Sequence, residues 1–278
     1  MSNSKNIKVS DTAFVTCAFR RLNEKLSGDY YAKIWSNKNA EKILKDYTSS
    51  VSTEEIETHC IRNRYFLETI KRFIENSEIE VLINFGAGFS MYPFLVDSNI
   101  SHIEIDKPEV VEYKEHIISV LTSENELPKR DITFIGVDFS SDYFYSLLDT
   151  LQKIVNNKPS FIIIEGVLFF LNKTETDLIF KLFDQLQNTN DYVGSVSYTE
   201  EVLKTSAHSR LMKYTNRGLK DASKEGCQIV PNSFYENLKS YKLVEMEDYY
   251  SCSKVFNHIP NLNPDDILNE SFYLLKKQ

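Results

Sequence analysis

Basic residues, paired cysteines and long apolar runs are all scarce in this sequence. Lys and Arg number 32 against 40 Asp and Glu, which gives a formal net charge of −8. A protein held by phosphate contacts needs a surplus of basic residues on one face, so this balance disfavours a nucleic-acid partner. We therefore expect no nucleic acid among its partners.

The cysteines lack the spacing that a metal cluster or a disulfide framework requires. Cys17, Cys60, Cys227 and Cys252 are scattered along the chain, with no CxxC pair and no histidine at ligand spacing. This pattern is typical of reduced thiols in the cytosol. We predict no metal site.

Membrane and export signals are missing as well. No stretch approaches the roughly 20 consecutive apolar residues of a membrane span. The N-terminal "MSNSKNIKVSDTAF" lacks the apolar core of a secretory signal. We expect a cytoplasmic protein without a membrane partner, and its 42% hydrophobic and 13% aromatic residues suffice for a substantial core.

The apolar pattern of the chain changes near residue 80. Residues 52–76 carry the strongest of several helical signals before that point, with Ser52 or Thr53 as N-cap and acids in the first turn. Short β-rich runs alternate with helical patterns after it. The predicted strands are 81–85, 102–105, 132–137, 161–167 and 192–198, with two last strands in 242–250 and 271–277. This alternation implies βαβ units and a mostly parallel sheet.

The same pattern predicts one domain over residues 1–278. We divide it into a helical N-terminal cap (1–79), a core that binds a cofactor (80–198), a helical insertion that covers the substrate (199–240) and the last strands (241–278).

Glycine is also scarce, with eight in the whole chain, yet two fall together in "VLINFGAGFSMYPF" (81–94). Gly86 and Gly88 would let a ligand approach the backbone closely, although an ordinary strand-to-helix turn can use glycines too. A dinucleotide fingerprint places a third glycine where this chain has Met91. The loop therefore favours a cofactor without a pyrophosphate, such as S-adenosylmethionine.

Acidic residues follow the predicted strands, at the edge where open parallel sheets bind ligands. Asp106 lies twenty residues past Gly86, the spacing of a carboxylate that meets a ribose, although a lone acid there could also cap a helix. Asp138 is placed to meet an adenine amino group. An unpartnered carboxylate is costly to bury, so Glu165 in "FIIIEGVLFFL" needs a partner or a ligand. Glu104 completes this group of acids.

Four ordered motifs resemble the leucine carboxyl methyltransferase family. They are "VLINFGAGFSMYPF", "HIEIDKPEVVEYK", "GVDFSSDYFYSLL" and "IIIEGVLFFLNKTETDLIFKLF". The chain is similar to the bacterial branch of polyketide-type O-methyltransferases, whose opening and Arg-Thr-Arg stretch resemble "SDTAFVTCAFRRLNEK" and "IRNRYFLETI". The resemblance covers about residues 10–185.

This resemblance implies a fold and a set of site residues. The fold is the class I methyltransferase fold, an α/β Rossmann-like fold with a seven-stranded, mostly parallel sheet whose last strand is antiparallel. The implied S-adenosylmethionine contacts are Arg62 or Arg64 for the methionine carboxylate, Gly86, Ala87 and Gly88 for the methionine backbone, Asp106 for the ribose, Asp138 and Phe139 for the adenine, and Glu165 near the cofactor. Cys17 stands where protein-methylating members have a lysine, which argues against a protein-tail substrate.

Together these features predict an S-adenosylmethionine-dependent O-methyltransferase. Its acceptor would be a hydroxyl or carboxyl of a small-molecule or carrier-bound metabolite, as in secondary metabolism. A hydroxyl acceptor benefits from a base, and His208 and Tyr198 are candidates, although His208 could equally be an ordinary surface histidine. The alternatives are a protein carboxyl methyltransferase, an NAD-dependent dehydrogenase and a non-catalytic relative.

Overall fold

All seven predicted strands form, and they join into one sheet. The structure is a computed structural model that describes residues 9, 12–96, 100–139, 141–217 and 227–278. The strands are Val81–Phe85 (β1), Ser101–Asp106 (β2), Ile132–Gly136 (β3), Ser160–Ile164 (β4), Tyr192–Tyr198 (β5), Tyr241–Asp248 (β6) and Glu270–Lys277 (β7).

Helices fill the connections between these strands and form the N-terminal region. The α-helices of the described ranges are Thr12–Leu22 (α1), Glu24–Ser27 (α2), Lys38–Ser50 (α3), Glu55–Glu75 (α4), Tyr92–Leu95 (α5), Pro108–Ser123 (α6), Phe144–Val155 (α7), Lys173–Leu186 (α8), Ser206–Asn216 (α9), Asn232–Glu236 (α10) and Tyr249–Val255 (α11). Short 3-10 helices span Ala32–Trp35, Leu168–Phe170, Glu200–Lys204 and Pro264–Asp266.

The strand order is β3-β2-β1-β4-β5-β7-β6. Neighbours from β3 to β5 pair in parallel, whereas β7 is antiparallel to both β5 and β6. The predicted sheet and its antiparallel last strand are confirmed. The chain runs outward from β1 through β3 and then returns to β4 on the other side of β1. This reversal makes the carboxyl ends of β1 and β4 the switch point, where open α/β sheets hold their ligands.

Apolar helices cover both faces of the sheet. On one face α4 buries Ile61, Phe66 and Ile70 against the strands, and on the other α7 and α8 bury side chains such as Leu151 and Phe183. Since β4 is covered on both sides, all five of its residues are buried. The central strands therefore form a rigid platform for the residues that follow them.

The N-terminal helices pack on the glycine loop that follows β1. The ring of Phe89 stacks on Phe14 at 4.5 Å and on Trp35 at 4.6 Å between centroids. Cys17 Sγ donates to the carbonyl of Phe89 at 3.2 Å. The helical cap that the sequence predicts is thus part of the wall of the candidate site.

Several element boundaries differ from the sequence prediction. Strand β4 ends at Ile164, so Glu165 lies just past the strand. The helix after the glycine loop, α5, is a single turn. Strand β6 ends at Asp248 because a capping box starts α11 there: Asp248 Oδ1 accepts the N–H of Ser251 at 2.8 Å, and Ser251 Oγ accepts the N–H of Asp248 at 2.9 Å.

The predicted insertion is helical where it is described, in Glu200–Lys204, α9 and α10. Residues 218–226 of that insertion, and residues 1–8 and 10–11 of the predicted cap, lie outside the described residues. None of the described helices combines the length and the apolar character needed to cross a bilayer.

Candidate functional site

The glycine loop is tied to the end of β2. The N–H groups of Gly86 and Ala87 both donate to the carbonyl of Ile105, at 2.8 and 2.9 Å. Gly86 has a φ of +79°, and a Cβ there would lie 2.1 Å from Cγ2 of Val167. Only glycine fits this position, because the residues that follow β4 pack directly against it.

Gly88 meets a different requirement. Its φ is +46°, and a Cβ on it would meet no heavy atom within 4 Å, so the backbone borders open space. Its N–H donates to Oδ2 of Asp106 at 2.7 Å, and Oδ1 of the same carboxylate accepts the N–H of Lys107 at 2.7 Å. Each carboxylate oxygen can accept a second hydrogen bond, so Asp106 can also accept hydroxyl donors from a ligand.

Asp138 and Phe139 follow β3 at the same edge of the sheet. Asp138 is exposed, and its carbonyl accepts the N–H and the hydroxyl of Ser141 at 3.0 and 2.7 Å. The half-buried ring of Phe139 lies 5.5 Å from Phe85 and 5.3 Å from Tyr143. An aromatic ring and a carboxylate thus lie side by side where the sequence predicts an adenine.

A buried guanidinium occupies the switch point. Arg62 of α4 donates from Nε to Glu165 Oε1 at 2.8 Å and from Nη1 to Glu270 Oε1 at 2.6 Å. Tyr92 donates its hydroxyl to Glu165 Oε2 at 2.8 Å. Burial disfavours the charge on Arg62, but Glu270 and Glu165 outweigh that effect and raise its pKa. Arg62, Glu165 and Glu270 therefore form one fixed cluster, which we call the Arg62 cluster.

Glu270 is a site residue that the sequence reasoning missed. It is 2% exposed, and its Oε2 has no hydrogen-bond partner among the described residues. Burial raises the pKa of Glu270 to about 7, although Arg62 pulls it down. The sequence contained a signal for Glu270, because the first residue of an antiparallel last strand lies at the carboxyl edge of its parallel neighbours. The predicted last strand began one residue late, at 271, and so left Glu270 out.

Two further polar side chains lie close to Glu270. Tyr198 is paired directly with Glu270 in the β5–β7 ladder, so both side chains are on one face of the sheet. Glu55 accepts hydrogen bonds from the hydroxyls of Tyr47 at 2.9 Å and Thr58 at 3.3 Å. Burial and the neighbouring charge of Glu270 raise the pKa of Glu55 to about 8. The predicted Tyr198 thus joins the cluster, whereas Glu55 was not foreseen.

Two sequence candidates lie apart from this cluster. Arg64 forms an ion pair with Glu68 at 2.9 Å on the outer side of α4, and about a third of its side chain is exposed. His208 lies in the first turn of α9, where its N–H donates to Oγ1 of Thr205 at 3.1 Å, and burial lowers its pKa. The structure therefore favours Arg62 over Arg64, and Tyr198 over His208, as site residues.

Glu104, which the sequence groups with the strand-end acids, has a partner within the fold. It forms a buried ion pair with Lys114 of α6, and neither side chain is more than 1% exposed. Burial raises the pKa of Glu104, and Lys114 and Asn84 counteract that rise. We interpret this pair as structural, because it joins β2 to α6 and its two charges satisfy each other.

The residues of this edge fit S-adenosylmethionine. The open backbone at Gly88 admits a ligand, Asp106 can take hydroxyl donors, and Phe139 offers a ring face. Gly166 has a φ of +72°, and a Cβ on it would lie 3.7 Å from Nη2 of Arg62. The absence of a side chain at Gly166 therefore leaves room for a ligand to approach this guanidinium nitrogen.

The comparisons with known proteins agree with this geometry. The family model described as leucine carboxyl methyltransferase matches residues 13–184, more than half of the chain. The chain belongs to the leucine carboxyl methyltransferase family. This family member is therefore an S-adenosylmethionine-dependent methyltransferase, and the resemblance that the motifs indicated is confirmed.

Solved structures share the fold of this family member. A candidate methyltransferase from Thermobifida fusca is 15% identical with a TM-score of 0.68, covering 99% of this chain and 97% of the other. A DUF574 family protein from Streptomyces avermitilis is 11% identical with a TM-score of 0.62, covering 96% and 97%. Magnesium protoporphyrin IX methyltransferase from Synechocystis, solved with S-adenosylhomocysteine, is 9% identical with a TM-score of 0.51, covering 94% and 99%. No curated protein sequence matches this chain.

Proposed function

We propose that this protein transfers the methyl group of S-adenosylmethionine to an oxygen atom of a small-molecule or carrier-bound metabolite of secondary metabolism. The observation that carries the proposal is the meeting of Gly88, Asp106 and the Arg62 cluster at the switch point of the sheet. When bound, S-adenosylmethionine supplies a methyl group activated by a positive sulfur.

The proposed roles of the cofactor-binding residues follow from their donors and acceptors. A guanidinium has five N–H donors, and the bonds of Arg62 to Glu165 and Glu270 leave Nη2 for a ligand carboxylate. Asp106 accepts the ribose hydroxyls while it holds the N–H of Gly88. Asp138 and Phe139 bind the adenine.

The acceptor side of the site lies over the ends of β4 and β5. The ring of Tyr198 packs on Phe169 at 4.5 Å, and Val202 is buried in the same apolar cluster. Such a mixed aromatic and aliphatic wall supports an acceptor with apolar character. The helical segments Glu200–Lys204 and α9 border this wall, in the predicted substrate insertion.

The alternative acceptor is a carboxyl group of a protein, which the name leucine carboxyl methyltransferase suggests. Cys17, which stands where protein-methylating relatives have a lysine, is fully buried beneath the glycine loop and bonds to Phe89. Burial also raises the pKa of its thiol, so it adds no charge there. An uncharged, covered side chain at this position supports a small-molecule acceptor.

Transfer of label from S-adenosylmethionine tests this proposal. The protein is incubated with the methyl-labelled cofactor and an extract of the source cell, and the low-mass and protein fractions are then counted. We expect label in low-mass metabolites, or in groups that thioester cleavage releases from a carrier. Label that stays in protein as a methyl ester would support protein carboxyl methylation instead, and no transfer at all would refute the proposal.

A further inference from the structure

The acceptor side of the site contains a buried carboxylate oxygen that nothing described satisfies. Glu270 Oε1 is held by Nη1 of Arg62 at 2.6 Å, so the orientation of the carboxyl group is fixed. Oε2 of the same group has no hydrogen-bond partner among the described residues, although the side chain is only 2% exposed. Orphaned buried acceptors are uncommon in native proteins, and a ligand that donates a hydrogen bond would satisfy this one.

The surroundings of Glu270 indicate where that ligand lies. Tyr198 is its ladder partner at the end of β5, and Glu165 shares its Arg62 guanidinium at the end of β4. The orphaned oxygen therefore lies between the residues proposed for the cofactor and those proposed for the acceptor. Cys227 lies near the same group: burial raises the pKa of its thiol, and the charges of Glu270 and Glu55 add to that rise.

We propose that Glu270 Oε2 accepts the proton of an alcohol or phenol hydroxyl on the methyl acceptor. This inference rests on the proposed function and deepens it, because it names a hydroxyl, and not a carboxylate, as the acceptor.

The described charges of the cluster do not balance. Arg62 is the one cation that bonds to Glu165 and Glu270 among the described residues, and Glu55 adds a third buried carboxyl group within electrostatic reach of Glu270. A carboxylate acceptor would bring a further negative group to a site of low dielectric in which one guanidinium already pairs with two carboxylates. A neutral hydroxyl brings a hydrogen-bond donor instead, which is what the orphaned oxygen needs.

The chemical step balances with the residues and the methyl donor alone. The acceptor oxygen forms a bond to the methyl carbon while the carbon–sulfur bond of S-adenosylmethionine breaks and its electron pair stays on sulfur. The hydroxyl proton passes to Glu270 Oε2. The products are a methyl ether, S-adenosylhomocysteine and a protonated Glu270, which returns its proton to water after release.

Charged and titratable groups from several elements of the fold surround Glu270 and affect its protonation state. Arg62 of α4 and Glu165 after β4 act on it directly, and Glu55 at the start of α4 lies within electrostatic reach of it. Tyr47, Tyr198 and Cys227 are un-ionised near neutral pH, because burial raises the pKa of each. Since burial raises the pKa of Glu270 to about 7, the group can accept and release a proton near neutral pH.

Replacing the proposed proton acceptor gives the first test. Glu270→Gln keeps the shape and an oxygen for Arg62 but cannot take a proton. We expect label transfer to the acceptor to fall about 100- to 10,000-fold, while calorimetry shows binding of S-adenosylhomocysteine within a few-fold of wild type. Glu75→Gln, at an exposed glutamate on the last turn of α4, is the matched control and should transfer normally. A Glu270→Gln variant that binds cofactor and transfers label at the wild-type rate would overturn the proposal.

The chemistry of the labelled product separates this inference from the proposed function. A methyl ether survives mild alkali, whereas a methyl ester releases its label as methanol. Alkali-stable label in a low-mass product supports both proposals. Alkali-labile label in such a product overturns the hydroxyl inference and leaves O-methyl transfer intact, and absence of any transfer refutes both.

Discussion

Two of the buried ion clusters of this protein differ in composition. Lys114 and Glu104 form a one-to-one pair between α6 and β2, with the carboxyl group also bonded to Asn84. In the Arg62 cluster one guanidinium serves two carboxylates, and an oxygen of Glu270 stays without a described partner. Both clusters are almost fully buried, so burial alone does not distinguish them.

The difference between the clusters indicates their roles. A balanced pair satisfies its own charges and needs nothing further, which suits a structural contact. An unbalanced cluster at a switch point leaves donors and acceptors that a ligand completes, at a cost in stability to the free protein. The following variants test this contrast, from the largest expected effect to the smallest.

Breaking the balanced pair should lower stability most. Lys114→Met leaves Glu104 buried without its cation, and we expect the free energy of unfolding to fall by about 3–5 kcal/mol. Denaturant titration measures this loss. The double variant Lys114→Met with Glu104→Leu removes both charges and should recover most of it, with cofactor binding near wild type. A double variant as unstable as the single one would argue against a simple paired-charge role.

Changing the unbalanced cluster should affect the ligand instead. Arg62→Lys keeps the charge but loses the planar fork, and we expect affinity for S-adenosylmethionine to fall about ten- to a hundred-fold. Arg64→Lys, two residues away on the outer side of α4, should bind within about two-fold of wild type. Calorimetry on both variants decides between the two arginines, and equal losses would contradict the assignment.

The two loop glycines should respond differently to the same substitution. Gly86→Ala places a methyl group against Val167 and should destabilise the protein by about 1–3 kcal/mol or more. Gly88→Ala meets open space, so its stability loss should be about 1 kcal/mol, from the left-handed backbone alone. Its main effect should be weaker cofactor binding. Thermal melting and calorimetry together test this; normal binding by Gly88→Ala would argue that no ligand approaches there.

The last prediction concerns the pH dependence of stability. The pKa of Glu270 is about 7 when folded and 4.5 ordinarily, so the folded state holds more protons in that window. Its contribution to stability therefore falls as pH rises from 4.5 to 7. Relative to wild type, Glu270→Gln should gain up to about 1.4 kcal/mol per pH unit across this window. Parallel pH profiles of the two proteins would contradict the raised pKa, and Glu75→Gln should follow wild type.

The sequence predicts the strands well for physical reasons. The strands are continuous or alternating apolar runs, and Gly86, Gly88 and Asp106 follow two of them directly, so local pattern determines their place. The same logic placed Glu104 at the site, because a pattern of alternating residues does not reveal that Lys114 reaches it from α6.

The acceptor side was less accessible to sequence reasoning. Glu55, Glu270 and Tyr198 come together only when α4, β7 and β5 pack. Glu55 and Glu270 are 215 positions apart in the sequence. The substrate insertion gives weak periodicity, and His208 was chosen there by residue type alone. The proton acceptor that we propose is Glu270, the ladder partner of Tyr198, and not a histidine.

The most direct test of the central claim is a calorimetric titration of wild type, Asp106→Ala and Asp149→Ala with S-adenosylmethionine. Asp149 forms an exposed ion pair with Lys153 on α7 and serves as the matched control. We predict binding by wild type and Asp149→Ala, and binding weakened at least about ten-fold in Asp106→Ala, the loss of one or more charge-assisted hydrogen bonds. Undiminished binding by Asp106→Ala would contradict the assignment of the cofactor site.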